Sequence, residues 1–409
     1  MRKPITTRRR FLQASAALGA FGFGRAAFPW FVPNPTGKAK RCVLLWMNGG
    51  PSQFETFDPK PGTTNGGPTQ AINTAVPGIQ IAENLPLLAR RMDKLSVLRN
   101  VTSPEGEHDR AQYYLHTGFR LVPAFPRPAL GSVVSHEYPE MDFPKYVLLG
   151  NRSFGPAYCG PDHASFAVEN AETAKELLGQ IRRRKDDLEF LRTLNADFGT
   201  KNNVTAIARR RSMMARVENL VTTPFHEALD TTKEKQATRD RYGDQEFGQR
   251  CLLARRLLQR DVPFVEVQLD GWDTHVNNFE QVATLAAGVD SGCSALIDDL
   301  ISDGLWNDTL LVWMGDFGRT PTINGQSGRD HFPSVTPVVL GGGCIQSGQV
   351  IGATNRTGTA IDGDTHSVAD VSATILQLLG TPPDAEFTTT FGSPTAATDN
   401  GAIIGAIVG

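Results

Sequence analysis

The sequence predicts an α/β fold built on a mostly parallel sheet with helices on both faces. Short, continuous apolar runs fit strands buried on both sides, and stretches between them place apolar residues at steps of three and four, as amphipathic helices do. Composition agrees: 40% apolar and 21% charged residues, with 40 Gly and 26 Pro among 409, describe a loop-rich globular chain. They exclude coiled coil, collagen and wholesale disorder.

In chain order, Cys42 to Met47 (CVLLWM), Val147 to Leu149, Val262 to Leu269 (VPFVEVQL), Thr309 to Met314 (TLLVWM) and Thr336 to Leu340 read as buried strands. Residues 170–260, charged and helical in pattern with few strand signals, are expected to form an inserted helical region beside the sheet. The clearest helix aligns Val282, Leu285, Val289, Cys293, Leu296 and Leu300 on one stripe. Val368, Val371, Ile375 and Leu378 repeat the pattern, His366 is placed to cap that helix, and Gly380 with Pro382 stops it. The main domain is expected over residues 38–383. Residues 384–409, rich in Thr, Ala and Gly, are expected to be a loosely attached tail.

The first 27 residues stand apart. Arg2, Lys3, Arg8, Arg9 and Arg10 precede a short Ala- and Gly-rich run from Phe11 to Phe23, too short to span a bilayer. The junction TRRRFLQ (Thr7 to Gln13) resembles the bacterial twin-arginine export signal, which implies the twin-arginine export machinery as a partner and a periplasmic or secreted product with no stable transmembrane anchor. Cleavage near Ala26 or Ala27 would remove six positive and no negative charges, moving the formal net charge from -2 to -8. A chain without basic excess is a poor nucleic-acid binder. The cysteines Cys42, Cys159, Cys251, Cys293 and Cys344 form no C-x-x-C pair and read as buried small apolar residues.

Chemistry is expected where strands end, because in open parallel sheets the ligand crevice lies at their carboxyl ends. After Leu269 comes DGWDTH, with Asp273 and His275 two apart. After Met314 comes GDFGR, with Asp316 and Arg319, and a loop then delivers GRDHFP, with Asp330 next to His331. Carboxylates and imidazoles together suit a divalent ion: zinc, manganese or iron. Gly49, Gly50 and Ser52 form a small loop after the first strand that could offer backbone N–H groups to an anion. Arg319 could grip an anionic oxygen bidentately or pair with a carboxylate of the protein. His116 shows no partner pattern.

GGPSQFETFDPKP (from Gly49), HDRAQYYLHTG (from His108), YGDQEFGQRCLLARRL (from Tyr242), GWDTH, GDFGRTP and GRDHFP together resemble an exported, sulfatase-like family, domain of unknown function 1501, within the alkaline phosphatase and sulfatase superfamily. The resemblance implies a doubly wound sheet whose strand ends hold two metal ions, zinc, manganese, iron or calcium, with a nucleophile on a helix start between them. It makes Asp273, His275 and His331 resemble the ligands of the first ion. Asp316 and Asn48 resemble those of the second, where Phe317 replaces a His and Asn48 replaces an Asp; Glu55 or Asp58 could substitute. Sulfatases carry a Cys or Ser nine residues before a Thr-Gly pair, and here that position is His108. His108 is then a ligand or acid/base group ahead of a nucleophile, Asp109 is a second candidate ligand or covalent carboxylate, and the pair could instead merely cap the following helix. The implied activity is metal-dependent hydrolysis of a phosphate or sulfate ester on a phosphorylated or sulfated small molecule or glycan. The alternative is a catalytically degenerate relative that keeps the fold as an envelope binding or assembly module.

Overall fold

The computed structural model describes residues 39–183 and 225–408. The segment expected to be an export signal and residues 184–224 of the expected helical region lie outside the described residues. The principal strands are β1 (Arg41–Met47), β2 (Leu95–Leu98), β3 (Tyr146–Leu149), β4 (Phe166–Val168), β5 (Phe264–Leu269), β6 (Thr309–Gly315), β7 (Val338–Gly341) and β8 (Gln349–Ile351). They form one eight-stranded sheet in the order β8-β2-β7-β6-β1-β5-β3-β4. All neighbours pair parallel except β7, which runs against both β6 and β2. The five expected strands are all present. The three without a sequence signal are short, and two of them, β4 and β8, are half-exposed strands at the sheet's edges.

The main helices are α1 (His108–Thr117), α2 (Leu130–Glu137), α3 (Ala171–Arg183), α4 (Glu246–Leu258), α5 (Asn278–Ser302) and α6 (Val368–Leu378). Successive strand residues point to opposite faces. Cys42, Leu44 and Trp46 of β1 therefore join a core closed by α1, α2 and α6, while Val43, Leu45 and Met47 join one closed by α4 and α5. The α5 stripe is buried at Val282, Val289, Cys293, Leu296 and Leu300, as its periodicity requires. Helix α4, within the 170–260 stretch, belongs to this layer: Phe247, Cys251, Leu252 and Leu257 are fully buried. It can lie this close to α5 because a Cβ on Gly292 would stand 2.9 Å from the Gly248 Cα. The five cysteines are buried and none is in a disulfide.

Two local expectations are corrected. Helix α6 is capped by Ser367, whose side chain accepts from the Asp370 N–H while Asp370 accepts from the Ser367 N–H, a capping box worth about 1 kcal/mol; the His366 N–H goes instead to the Asn100 carbonyl. Residues 384–408 are not loose. Phe387, Ile404 and Ile407 are buried in the α6 core, and the N–H groups of Ala402 and Ile404 bond to Asp370 and Thr374. Among the described residues no helix is long and apolar enough to cross a membrane.

Register positions the chemistry. Met47 lies opposite Leu269 on one side and Gly315 on the other, so the three central strands end level. Asn48, Asp270 and Asp316 consequently leave the sheet at one edge, and the loops behind them converge.

Candidate functional site

The loop after β1 turns through Gly49 and Gly50, at φ +112° and +85°. Position 49 admits no side chain, since a Cβ there would stand 2.5 Å from the Asp273 backbone nitrogen. This close approach brings the β1 loop onto the β5 loop. The loop after β6 is held by a two-residue antiparallel ladder in which Arg319 faces His331, so GDFGR and GRDHFP are tied together. A third contribution comes from α1, whose first residue is His108.

These elements gather around one oxygen, Asp273 Oδ1. It lies 3.3 Å from His108 Nε2, 3.1 Å from His275 Nε2, 3.3 Å from His331 Nε2 and 2.7 Å from the Arg319 guanidinium. His275 and His331 present their Nε2 atoms to each other at 3.0 Å. Each imidazole is held by its other nitrogen: His108 Nδ1 lies 2.6 Å from Asp316 Oδ2, His275 Nδ1 2.7 Å from Asp330 Oδ1, and His331 Nδ1 2.8 Å from the Gly106 carbonyl. A carboxylate or carbonyl oxygen can only accept, so each Nδ1 carries a proton, and each ring points its Nε2 toward the cluster, where a neutral imidazole has its lone pair. The buried His108 Nε2 has no hydrogen-bond partner.

Charge follows the same pattern. The hydrogen bond to Asp316, aided by the Asp316 and Asp273 charges, raises the His108 pKa against the opposing effect of burial. Burial alone would raise Asp273, but the hydrogen bond and charge of Arg319, together with His108 and His275, bring it below the usual carboxylate range. The His275 hydrogen bond lowers Asp330. Burial lowers Arg319, with Asp273 pulling the other way.

His108, Asp273 and His331 form a group whose donor atoms all lie within 4.8 Å of one another, a candidate metal site. The donor set fits a divalent ion on three counts: imidazole nitrogen with carboxylate oxygen, histidines oriented from behind by fixed oxygens, and an unpartnered buried nitrogen aimed inward. Metal–ligand bonds of about 2.1 Å put neighbouring donors roughly 3.0–3.4 Å apart in octahedral or tetrahedral arrangements, the spacing found around Asp273 Oδ1.

The remaining residues expected at the site divide. Asp316 is fully buried and accepts from Gln112 Nε2 at 2.8 Å and from the Gly49 N–H at 3.3 Å, besides meeting His108. Asn48 accepts from the same Gln112 nitrogen at 2.6 Å and donates to Asp270 at 2.6 Å. Neither joins the group around Asp273. Arg319 has no exposed surface. It donates to the carbonyls of Gly49, Gly50, Trp272 and Arg329 as well as to Asp273, so it clamps the three loops together and aims Asp273. Asp109 points away, exposed and paired with Arg152 at 2.5 Å. Glu55 pairs with the buried Arg329 at 2.9 Å, and Asp58 with Lys60 and Arg99; neither reaches the site. Phe317 lays its ring 5.1 Å from that of His108 and 4.6 Å from that of His331, shielding the cluster from one side.

Gln112 and the Gly106 carbonyl were not among the expected site residues; Asp330, read with His331 as a candidate pair, instead holds His275 from behind. Gln112 sits four residues after His108, on the same face of α1, and that spacing is the signal that could have found it.

A family model described as "Protein of unknown function (DUF1501)" matches residues 39–408. No curated protein matches the chain. Among solved structures, Ps i-CgsB in complex with k-i-k-neocarrahexaose is similar at 10% identity and TM-score 0.42, with 83% of this chain and 72% of that chain covered. The lipoteichoic acid synthase LtaP from Listeria monocytogenes is similar at 9% identity and TM-score 0.40, covering 89% and 76%. The C-terminal periplasmic domain of EcEptC from Escherichia coli, in complex with Zn, is similar at 11% identity and TM-score 0.40, covering 85% and 84%.

Proposed function

The chain belongs to the DUF1501 family, and on that premise we propose that it is an exported, metal-dependent hydrolase of phosphate or sulfate esters. The observation that carries this reading is the convergence of three Nδ1-anchored imidazoles on Asp273 Oδ1, with the buried His108 Nε2 unpartnered. His108, Asp273 and His331 would hold the ion, with His275 as a further donor at the exposed rim. A divalent ion there supplies polarisation of an ester oxygen and a competent nucleophile near neutral pH.

The protein's own groups prepare that chemistry. Asp316, Asp330 and the Gly106 carbonyl keep the proton on each Nδ1, leaving the Nε2 atoms free. Arg319 fixes the Asp273 carboxylate, and the Phe317 ring lies against one side of the centre. His275, half exposed beside Asp330, faces the side from which a substrate enters. The substrate class that suits such a centre is a phosphorylated or sulfated small molecule or glycan. Export is supported by the resemblance of Thr7 to Gln13 to a twin-arginine motif, and the activity would then lie in the periplasm or outside the cell.

The test is elemental analysis of the mature chain purified without added metal, beside His331→Ala, followed by assay of nitrophenyl phosphate and sulfate esters. The expected result is bound zinc, manganese, iron or calcium that disappears in the variant, with ester turnover disappearing alongside. Metal content equal in both proteins overturns the ligand set. The degenerate binding module remains the second reading, favoured by His108 standing where sulfatases carry a Cys or Ser; metal bound without turnover of any ester would select it.

A further inference from the structure

We infer that the centre holds a single ion, because the side-chain amide of Gln112 stands where a second ion would sit; the inference rests on the metal-centre reading above. The resemblance implies a second site formed by Asn48, Asp316 and a His. Phe317 occupies the His position with hydrocarbon. The two remaining oxygens that would face a cation, Asn48 Oδ1 and Asp316 Oδ2, instead both face one nitrogen, Gln112 Nε2, at 2.6 and 2.8 Å.

The orientation of that amide is fixed through its NH2 end, its Oε1 having no hydrogen-bond partner among the described residues. The Asp270 carboxylate can only accept, so Asn48 must turn its Nδ2 toward it and its Oδ1 toward Gln112, where the Trp46 indole N–H also points, at 3.5 Å. Two acceptors, Asn48 Oδ1 and Asp316 Oδ2, then require the NH2 end of Gln112, whose two hydrogens serve one each. Asp316 Oδ2 in turn receives the His108 Nδ1–H. The result is one polarised run, Asp270–Asn48–Gln112–Asp316–His108, ending in the Nε2 lone pair offered to the first ion. A divalent cation placed in this run would displace the Gln112 amide and face a single carboxylate, Asp316, already committed to His108; one negative charge is poor compensation for a buried divalent ion. Gln112 and Asp316 are thus positioning residues for His108, and the second-ion site implied by the resemblance is replaced by hydrogen bonds.

The experiment is a metal count by mass spectrometry. The full mature chain is saturated in turn with zinc, manganese or calcium alone, freed of unbound ion, and compared with Asn48→Asp/Gln112→Glu. The expected result is at most one equivalent of any ion in the wild type, with one reached for at least one of them, and two equivalents in the double variant, which restores carboxylates at the second position. Two equivalents in the wild type overturn the inference while leaving the hydrolase reading in place. None for any ion overturns both. A double variant that folds yet stays at one equivalent overturns the role given to the Gln112 amide. The wild-type count stands alone if that variant does not fold.

Discussion

His108 and His116 lie eight residues apart on the same helix and illustrate two uses of one side chain. His116 is 2% exposed and satisfied at both nitrogens: Nδ1 meets the Gln112 carbonyl at 2.8 Å and Nε2 meets Glu266 at 3.1 Å. Glu266 lies on the central strand β5 and also accepts from Tyr146 at 2.6 Å and Gln268 at 2.7 Å. The Trp46 and Phe154 rings pack on the imidazole. Every donor and acceptor in this network is answered within the protein, as a structural polar network requires. His108, at the helix start, is hydrogen-bonded at Nδ1 only, its Nε2 standing 3.3 Å from Asp273 Oδ1 without a hydrogen bond. The difference shows that a histidine's role is set by where its second nitrogen points.

The largest effects should separate the two ends of α1. Glu266→Ala leaves His116 and the Tyr146 hydroxyl buried without their acceptor, a loss of about 3–5 kcal/mol of unfolding free energy, with metal content per folded chain unchanged. His108→Ala should do the reverse: metal is lost, while the stability of the metal-free protein falls by less, because Asp316 keeps Gln112 and the Gly49 N–H. Denaturant unfolding of both metal-free variants beside elemental analysis reads the contrast, and it collapses if Glu266→Ala also strips the metal.

A smaller change acts from behind the site. Asp316→Asn keeps the shape but removes the charge that orients His108, and loss of such a partner typically costs 10–100-fold in metal affinity. Chelator competition measures it. Unchanged affinity would mean that Asp316 does not control the ring.

How much of this was legible in the sequence follows the same division. Strands β1, β5 and β6 could be read from their apolar runs because both faces are buried, and the site lies where those strands stop. Asp273, His275 and His331 were legible as chemistry-bearing residues at strand ends. The partition between ligand and support was not, because it depends on side-chain direction across contacts hundreds of residues apart, as between Gln112 and Asp316. The clamp role of Arg319 was hidden for the same reason: its acceptors are mostly backbone carbonyls, which carry no sequence signature. The strand β4 escaped because its three residues are too short to show a period, and the anchored C-terminal segment because Thr- and Ala-rich chain has weak periodicity whether it is held or free.

The buried end of α1 should also respond to acid. Burial alone would raise Glu266, but the facing His116, with hydrogen bonds from Tyr146 and Gln268, brings it below its ordinary value. A carboxyl depressed in the folded state contributes stability that is fully present above its unfolded pKa and is lost as pH falls through the folded one. Unfolding of the metal-free protein should therefore become easier as pH drops through and below the ordinary carboxylate range, and Glu266→Gln, though less stable near neutrality, should show a shallower acid limb. Equal slopes in the two proteins would remove Glu266 from the account.

The smallest effect belongs to the neighbour of the most important histidine. Asp109 follows His108 directly, yet the helical turn swings it out to Arg152, where its side chain is 82% exposed. The Arg152 contact lowers its pKa, but an exposed pair of this kind contributes little once solvent and salt screen it. Asp109→Asn should leave metal content unchanged and the unfolding midpoint within measurement scatter, whereas the same two measurements on His108→Ala should register loss of the ion. A metal-depleted Asp109→Asn would mean that the first turn of α1 acts as one unit, and would extend that helix's share of the site past His108.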